Sequence, residues 1–343
     1  RIHILCSDGS PLGVTSKTIW GDEWRVGVGG AELALLTMCE EWTKAGHEVV
    51  LYNDPHEAGV SSFEQLPVAA FSPTDKKRDV LIIFRSPNPS AVVADGLKVW
   101  WSTDQHTVGS FSNFAPLVDK IVCISPFHAN YFRSQYGIHN AISIDLPVRF
   151  DDFKDIDEER VDNRCIFTSV PDRGLNLLSN MWGTIKKHVP DASLVITSDY
   201  RLWGVATARN EKYRVKWIRK EDVTFLGAVQ RGKMLKEVAQ AELFTYPSTY
   251  EELFCISCAE AESLGAFPIT SETGALGSTN IGEIVHGNPH EAPFKQEFVE
   301  RVVYYLKNKD KLSEKRKIAM EEARKRFSPE TILEQWDNKV FNE

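Results

Sequence analysis

The stretch Ser248–Thr270, STYEELFCISCAEAESLGAFPIT, places two glutamates, Glu252 and Glu260, eight positions apart. Glu252 follows an apolar run and Pro247, Glu260 sits inside an alanine-rich helical pattern, and Gly265 closes the stretch. A carboxylate can accept two hydrogen bonds from neighbouring hydroxyls, as on a ribose or a sugar ring. The first turn of a helix offers free N–H groups to an anion such as a pyrophosphate. The spacing therefore predicts Glu252 in the loop after a strand, the amides of Phe254, Cys255 and Ile256 at the head of a helix, and Glu260 further along that helix. The plainer alternatives are a capping acid beside Glu251 and a solvated helix face shared by Glu260 and Glu262.

Cationic candidates lie elsewhere. Pro171-Asp172-Arg173-Gly174 follows an apolar run and opens a helix. A guanidinium at a strand end can clamp a phosphate bidentately. A cation near a helix N-terminus is otherwise disfavoured, which favours a functional Arg173 over a surface one. Arg231 and Lys233 open a later helix and carry the same logic more weakly, since both could be solvated. Gly29-Gly30-Ala31-Glu32 opens a helix near the start of the chain and could admit an anion, the plainer reading being a flexible turn. A dinucleotide fingerprint would need a third glycine where Glu32 stands, and a short link from the first strand. In WWSTDQHTVG, Asp104 and His106 follow a strand ending near Trp101 and could contact substrate, although a surface histidine is an equal reading of His106.

Other patterns read as structural. Cys255 and Cys258 form a lone C-x-x-C without the second ligand pair that zinc needs, so no metal is expected. Cys6, Cys39, Cys123 and Cys165 fall in apolar segments and read as small buried hydrophobes. This cysteine usage fits the reducing cytoplasm. Asp155-Ile156-Asp157 mimics a metal motif but lies in an acidic, turn-rich run and reads as solvated. The stretch RLWGVATARNEKYRVKWIRK, residues 201–220, reads as an amphipathic helix with Trp203 and Trp217 packed. Its basic, aromatic character leaves an acidic partner or a lipid headgroup open.

These residues need a scaffold. The chain has 343 residues, more than one core usually serves, so two domains are expected. Hydrophobic residues are 42% and charged residues 26%, ordinary for a globular protein. A net charge of −8 argues against a nucleic-acid partner. No apolar run is long enough for a membrane span, and no secretory signal pattern opens the sequence, which starts at Arg1 directly in a strand pattern and leaves a trimmed leader open. No signal bears on the oligomeric state.

Short apolar runs at Ile2–Cys6, Glu48–Tyr52, Val80–Phe84, Val99–Trp101 and Lys120–Ile124 read as strands, with helices over Ala31–Ala45 and Pro126–Gln135. After an acidic break, strands resume at Cys165–Val170, Ser193–Thr197, Val223–Leu226, Leu243–Tyr246 and Phe267–Thr270. Helices fall near Leu175–His188, Arg231–Ala241 and Cys255–Leu264, and Lys295–Val340 is helical throughout. Alternating strands and helices imply two α/β halves with parallel sheets. Ligands in such sheets bind beyond the carboxyl ends of the strands. The expected boundaries are a first domain over 1–148, a linker over 149–163, a second domain over 164–327 and a terminal helix over 328–343.

The Glu252–Pro268 stretch resembles the E-x7-E signature of family 4 of the retaining glycosyltransferases (glycosyl transferases group 1) with the GT-B fold. Glu252, Phe254, Glu260, Ala261, Gly265 and Pro268 match that pattern, and Cys255 stands where the family prefers glycine. Gly29-Gly30-Ala31-Glu32 with AGHEVVLY is similar to the amino-terminal loop, helix and second strand of the family. DKIVCISPF resembles the end of its first domain, and PDRGLNLL its phosphate loop. TSETGALG resembles the loop that holds the donor sugar, which extends that role to Gly274, Ala275 and Leu276. Related enzymes often carry His-Asp near the position of Asp104 and His106.

The resemblance implies two Rossmann-like parallel-sheet domains facing a cleft, with a C-terminal helix crossing back to the first domain. It implies transfer of a sugar from a nucleotide-sugar donor, with retention at the anomeric carbon and neither metal nor cofactor. Glu260 would hold the ribose, and Arg173, the Phe254–Ile256 amides and Lys233 the pyrophosphate. Glu252 and the Gly274 loop would orient the sugar. The acceptor, a carbohydrate, a lipid-linked group or a small molecule, would meet Gly29, Gly30 and His106 in the first domain. Closure about the linker would expel water. UDP-, GDP- and ADP-linked donors stay open, as does peripheral membrane contact. The alternatives are a related epimerase or phosphorylase, and a binding protein without turnover.

Overall fold

The computed structural model describes residues 1–8, 12–203, 214, 216–217 and 220–342. By contact the chain divides into two units. The first comprises Arg1–Ile19, Val28–Pro147 and Pro329–Glu343, and the second Trp20–Gly27 and Val148–Ser328.

In the first unit, β1 (Ile2–Leu5), β2 (Val49–Tyr52), β3 (Glu64–Leu66), β4 (Val80–Phe84), β5 (Leu97–Trp101), β6 (Lys120–Cys123) and β7 (Ala141–Ser143) form one sheet. Its order is β3-β2-β1-β4-β5-β6-β7, and every pair is parallel. In the second unit, β8 (Arg164–Phe167), β9 (Ser193–Ile196), β10 (Val223–Phe225), β11 (Leu243–Tyr246), β12 (Phe267–Ser271) and β13 (Glu283–Val285) form a parallel sheet in the order β10-β9-β8-β11-β12-β13. The central strands β1, β2 and β11 are buried at every residue. That is why they read as unbroken apolar runs, since helices cover both faces of a parallel sheet.

Three strands were not legible: β3, β7 and β13. Each is three residues long, lies at a sheet edge and is partly exposed. Short, half-polar edge strands carry no apolar run to recognise.

The all-helical tail resolves into Ala292–Lys307, Lys309–Arg326 and Pro329–Trp336. The last of these packs within the first unit. Trp336 meets Trp42 and Trp101 edge-on, with ring centroids 5.1 Å away in both pairs. The C-terminal helix therefore does cross back to the first unit, held by an aromatic cluster in that unit's core.

The acidic run at 149–163 is not the free, solvated linker its composition suggests. Phe150–Phe153 is a short 3-10 helix whose Asp152 is buried. Arg160 donates to the carbonyls of Ala241 and Leu264 at 2.6 Å each. Buried charge pairing, which composition does not reveal, fastens this run to the second unit. Asp155 and Asp157 are exposed, as expected of solvated acids. Most of the 201–220 stretch lies outside the described residues, Trp203's side chain included; Trp217 is fully buried. Among the described residues, no helix is long and apolar enough to cross a membrane.

Candidate functional site

The order of the second sheet reverses direction between β8 and β11, the topological switch point at which open α/β sheets bind ligands. The loops leaving these two strands approach closely. Gly174 has φ +117°, and a Cβ there would overlap the carbonyl of Pro247. Such proximity brings Arg173, which ends the 3-10 turn Pro171–Arg173 after β8, to Glu252 after β11. Arg173 Nη1 donates to Glu252 Oε1 at 3.1 Å and to Oε2 at 3.2 Å. The guanidinium also lies 4.3 Å from the ring centroid of the exposed Tyr250.

Glu252 is buried and is not a surface capping acid. Tyr246, the last residue of β11, donates its one hydroxyl hydrogen to Glu252 Oε1 at 2.5 Å, and the Ser169 hydroxyl, 3.1 Å from the same phenol oxygen, is placed to donate to it. Burial and then the neighbouring Glu252 push the Tyr246 phenol well up, so it is a hydrogen-bond donor across the physiological range. Burial is the largest single influence on Arg173 and lowers its pKa, but Glu252, Tyr246, Tyr250 and Cys255 together outweigh it and the net direction is up.

The Gly274 loop is stitched to the same turn. Glu252 and Gly274 form an isolated parallel bridge, and Ala275 N–H donates to the Glu252 carbonyl at 2.6 Å. Ser271 Oγ and Thr273 Oγ1 both donate to the Ser248 carbonyl, at 2.8 and 3.0 Å. Ala275 and Leu276 are buried beneath this loop.

The helix expected near Phe254 begins at Ile256 and runs to Ser263. Its N-cap, Cys255, has φ +75°, the left-handed conformation that glycine adopts freely and other residues seldom do. A glycine preference at this position thus has a backbone cause. Phe254 is buried against Phe327, edge-on at 5.6 Å, and Ile256 is half-buried. Among the described residues the amides of Phe254, Cys255 and Ile256 make no backbone hydrogen bond, so they are free to meet an anion. Burial raises the thiols of Cys255 and Cys258, which suits packed hydrophobes rather than reactive groups. Cys6, Cys39, Cys123 and Cys165 are likewise free and buried.

Glu260 and Glu262 do not form a solvated face, because both are buried. Glu260 Oε1 accepts from Arg231 Nη2 at 2.5 Å. Arg231 is buried too and is not the solvated residue that its place at a helix start allowed. Lys233, on the same helix, is exposed and turned to solvent. Two positions along a helix change the facing direction, so composition could not separate the two cations.

Glu262 Oε2 accepts from Ile281 N–H at 3.0 Å, and Oε1 has no partner among the described residues. Burial pushes its carboxyl well above the usual 4.5, against Ile281 and Arg326, which pull it down. Above pH 4.5 the unfolded chain loses this proton while the folded chain keeps it. The folded state is therefore progressively disfavoured as pH rises towards the folded pKa, by up to about 1.4 kcal/mol per pH unit. Replacing Glu262 by glutamine removes this loss. The melting temperature of E262Q should match wild type near pH 4.5 and exceed it increasingly as pH rises above that value. A difference that stays flat with pH would refute the burial argument.

The first unit has its own switch point, between β1 and β4. Asp8 follows β1, Arg85 and Ser86 follow β4, and Asp104 follows β5. Arg85 Nε lies 2.7 Å from Asp104 Oδ2 and 3.6 Å from Asp8 Oδ2, and Ser86 Oγ donates to Asp8. Arg85 has φ +68° and is held there by its N–H to the Trp101 carbonyl and by Trp100 Nε1 on its own carbonyl. Burial raises the Asp104 carboxyl, opposed by Arg85.

Buried His128 braces this loop. Its Nδ1 accepts from Ile124 N–H at 3.3 Å, which leaves the proton on Nε2 to donate to the Asp104 carbonyl at 3.1 Å. Burial draws its pKa down to about 4, so it is neutral. His106, the sequence candidate, is exposed. Gly29 caps the helix Gly30–Lys44, and a Cβ there would meet the Glu32 carboxylate. That acid already complements the positive end of the helix, which leaves less room for an incoming anion than the glycine pair implied.

Sequence reading did not pick out Asp8, Arg85, His128, Asp152 or Tyr246. Asp8, Arg85 and Tyr246 each end or closely follow an apolar run, so a rule asking for every polar side chain at a strand's carboxyl end would have found them.

Residues 165–326 match the family model of glycosyl transferases group 1. A curated relative, the uncharacterized glycosyltransferase YqgM of Bacillus subtilis, is 24% identical over 162 residues, covering 46% of this chain and 43% of that protein. The match thus spans less than half the length of the relative. Among solved structures, a glycosyltransferase from Rickettsia africae superposes with a TM-score of 0.72 at 14% identity, covering 100% of this chain and 99% of the other. Anabaena Alr3699/HepE, solved in complex with UDP and glucose, gives 0.69 at 14% identity, with the same coverage. The architecture is GT-B.

Proposed function

We propose that this protein is a glycosyltransferase that moves a sugar from a nucleotide-sugar donor to an acceptor, with retention at the anomeric carbon and without a metal. The observation that carries this reading is the meeting of Arg173 with Glu252 at the switch point of the second sheet, beside the head of the helix that carries Glu260. Each part of a nucleotide sugar finds a chemical counterpart there. Glu260 accepts hydrogen bonds from the ribose hydroxyls. Arg173 and the amides of Phe254, Cys255 and Ile256 take the pyrophosphate, with Lys233 as an outer cation. Glu252 and the Gly274–Leu276 loop orient the sugar.

Negative charge grows on the leaving diphosphate as the glycosidic bond breaks, so contacts to it stabilise the transition state more than the ground state. Arg173 is paired with Glu252. A bound phosphate competes for the guanidinium, and Tyr246 then keeps Glu252 in place for a sugar hydroxyl. The acceptor, a carbohydrate, a lipid-linked group or a small molecule, is assigned to the Asp8–Arg85–Asp104 crevice and the Gly29–Gly30 turn of the first unit, with His106 on its rim. The setting proposed is the cytoplasm, with peripheral membrane contact if the acceptor is lipid-linked.

The test is a thermal-shift screen of UDP-, GDP- and ADP-sugars, because a ligand that binds only the folded state raises its melting temperature. Transfer to acceptors follows, with the product anomer read by NMR. One donor class should stabilise the protein, and its product should keep the donor's anomeric configuration. Glu260→Ala should weaken that donor by about tenfold or more, the worth of a hydrogen bond to a charged acceptor. An inverted product overturns retention, and wild-type donor affinity in E260A overturns the ribose assignment. Conversion of donor without any acceptor would indicate an epimerase instead.

A further inference from the structure

Arg231 occupies the first position of the helix Arg231–Gln240, where the positive end of the helix disfavours a cation, and it is buried. Two carboxylates offset that cost. Its Nε donates to Asp152 Oδ2 at 2.6 Å, and its Nη2 to Glu260 Oε1 at 2.5 Å. Arg149 Nε donates to the same Asp152 oxygen at 3.0 Å. The result is a chain of alternating charge, Arg149–Asp152–Arg231–Glu260, in which Arg149 is half-buried and the other three are buried. Glu260 Oε2, by contrast, makes no hydrogen bond among the described residues.

We propose that Arg231 is the positioning residue that holds Glu260 for ribose recognition, so that preference for ribose over deoxyribose depends on Arg231 as well as on Glu260. The inference rests on the donor reading given above. A carboxylate on a flexible side chain can turn away from a diol or find another partner. With one oxygen clamped by a guanidinium that is itself anchored to Asp152, the other is left in a fixed direction as an acceptor. The fork of the arginine is essential, since it reaches two carboxylates at once in fixed geometry, whereas a lysine is a point charge. Buried ion networks contribute little to stability on balance, so orientation is the stronger reason for this one.

The experiment takes UDP, GDP and ADP in turn and selects the one that wild type binds. Calorimetry then gives Kd for it and for its 2′-deoxy and 3′-deoxy forms in wild type, E260Q, R231K and R231M, with the melting temperature of each. Wild type should prefer the ribose form about ten- to a hundredfold, as expected for a hydroxyl bonded to a charged acceptor. That preference should collapse towards unity in E260Q and equally in R231K and R231M. If Arg231 only braces the fold, its variants melt earlier but keep the full preference, and that result overturns the proposal. R231M leaves two buried acids without a counter-charge; should it not fold, R231K decides, because it keeps the charge and loses the fork. Should neither fold, D152N decides by freeing the guanidinium from its second anchor, and an unchanged ribose preference there also overturns the proposal. Failure of the donor reading looks different: wild type binds none of the three nucleotides, or E260Q keeps the preference.

Discussion

Arg173→Ala should lower turnover by roughly 100- to 1000-fold, the loss seen when one preorganised donor to a developing negative charge is removed. Arg173 is placed for that task by two loops, after β8 and β11, that approach at Gly174 and Pro247. Its side chain is about a quarter exposed, at 26%, so a ligand phosphate can reach it, while Glu252 and Tyr250 keep it from wandering. The substitution also strands Glu252, which retains Tyr246 as a donor. Some stability should therefore be lost, but less than the 3–5 kcal/mol typical of breaking a fully buried pair. Steady-state kinetics beside thermal melts separate the two effects. The fall should lie in kcat, since the contact strengthens as the nucleotide leaves. Arg173→Lys should recover part of the rate, because it restores charge without the planar fork. Turnover indistinguishable from wild type in R173A, in a folded protein, would end the phosphate assignment.

Gly274→Ala should be nearly as damaging, although it adds a single methyl group. Gly274 has φ +67°, where a side chain costs about 1–2 kcal/mol in backbone strain. The larger problem is space. A Cβ at this position lies 2.5 Å from the Glu252 nitrogen and closer still to its carbonyl oxygen. Both are backbone atoms, so no rotamer change relieves the overlap. Either the parallel bridge between Glu252 and Gly274 opens, or the turn bearing Glu252 shifts as a whole. A displacement of about 1 Å at reacting groups can cost about 100-fold in rate. G274A should therefore lose about two orders of magnitude in kcat while circular dichroism reports an intact α/β fold. Full activity in G274A would mean that the Glu252 turn tolerates movement, and that its position does not govern the chemistry.

Much of this protein was legible from local sequence. The unbroken apolar runs at Val80–Phe84 and Leu243–Tyr246 announced central strands, because a strand buried on both faces has no polar positions to interrupt it. Glu252 after a strand, Glu260 on the next helix and Arg173 after another strand followed from where those runs stop. Tertiary structure alone decided which of these residues meet. Arg173 and Glu252 lie 79 positions apart and come together because β8 and β11 are neighbours in the sheet while β9 and β10 lie to the other side. That non-sequential order follows from how the crossover helices pack, and no single segment encodes it. The same holds for Arg231, which reaches Glu260 across 29 positions, and Asp152 across 79. A charged residue in an acidic run or at a helix start reads as solvated until a partner from a distant segment removes it from water. Local sequence records periodicity and composition, and so it specifies elements. Burial of charge depends on long-range pairing, which is a property of the assembled sheet.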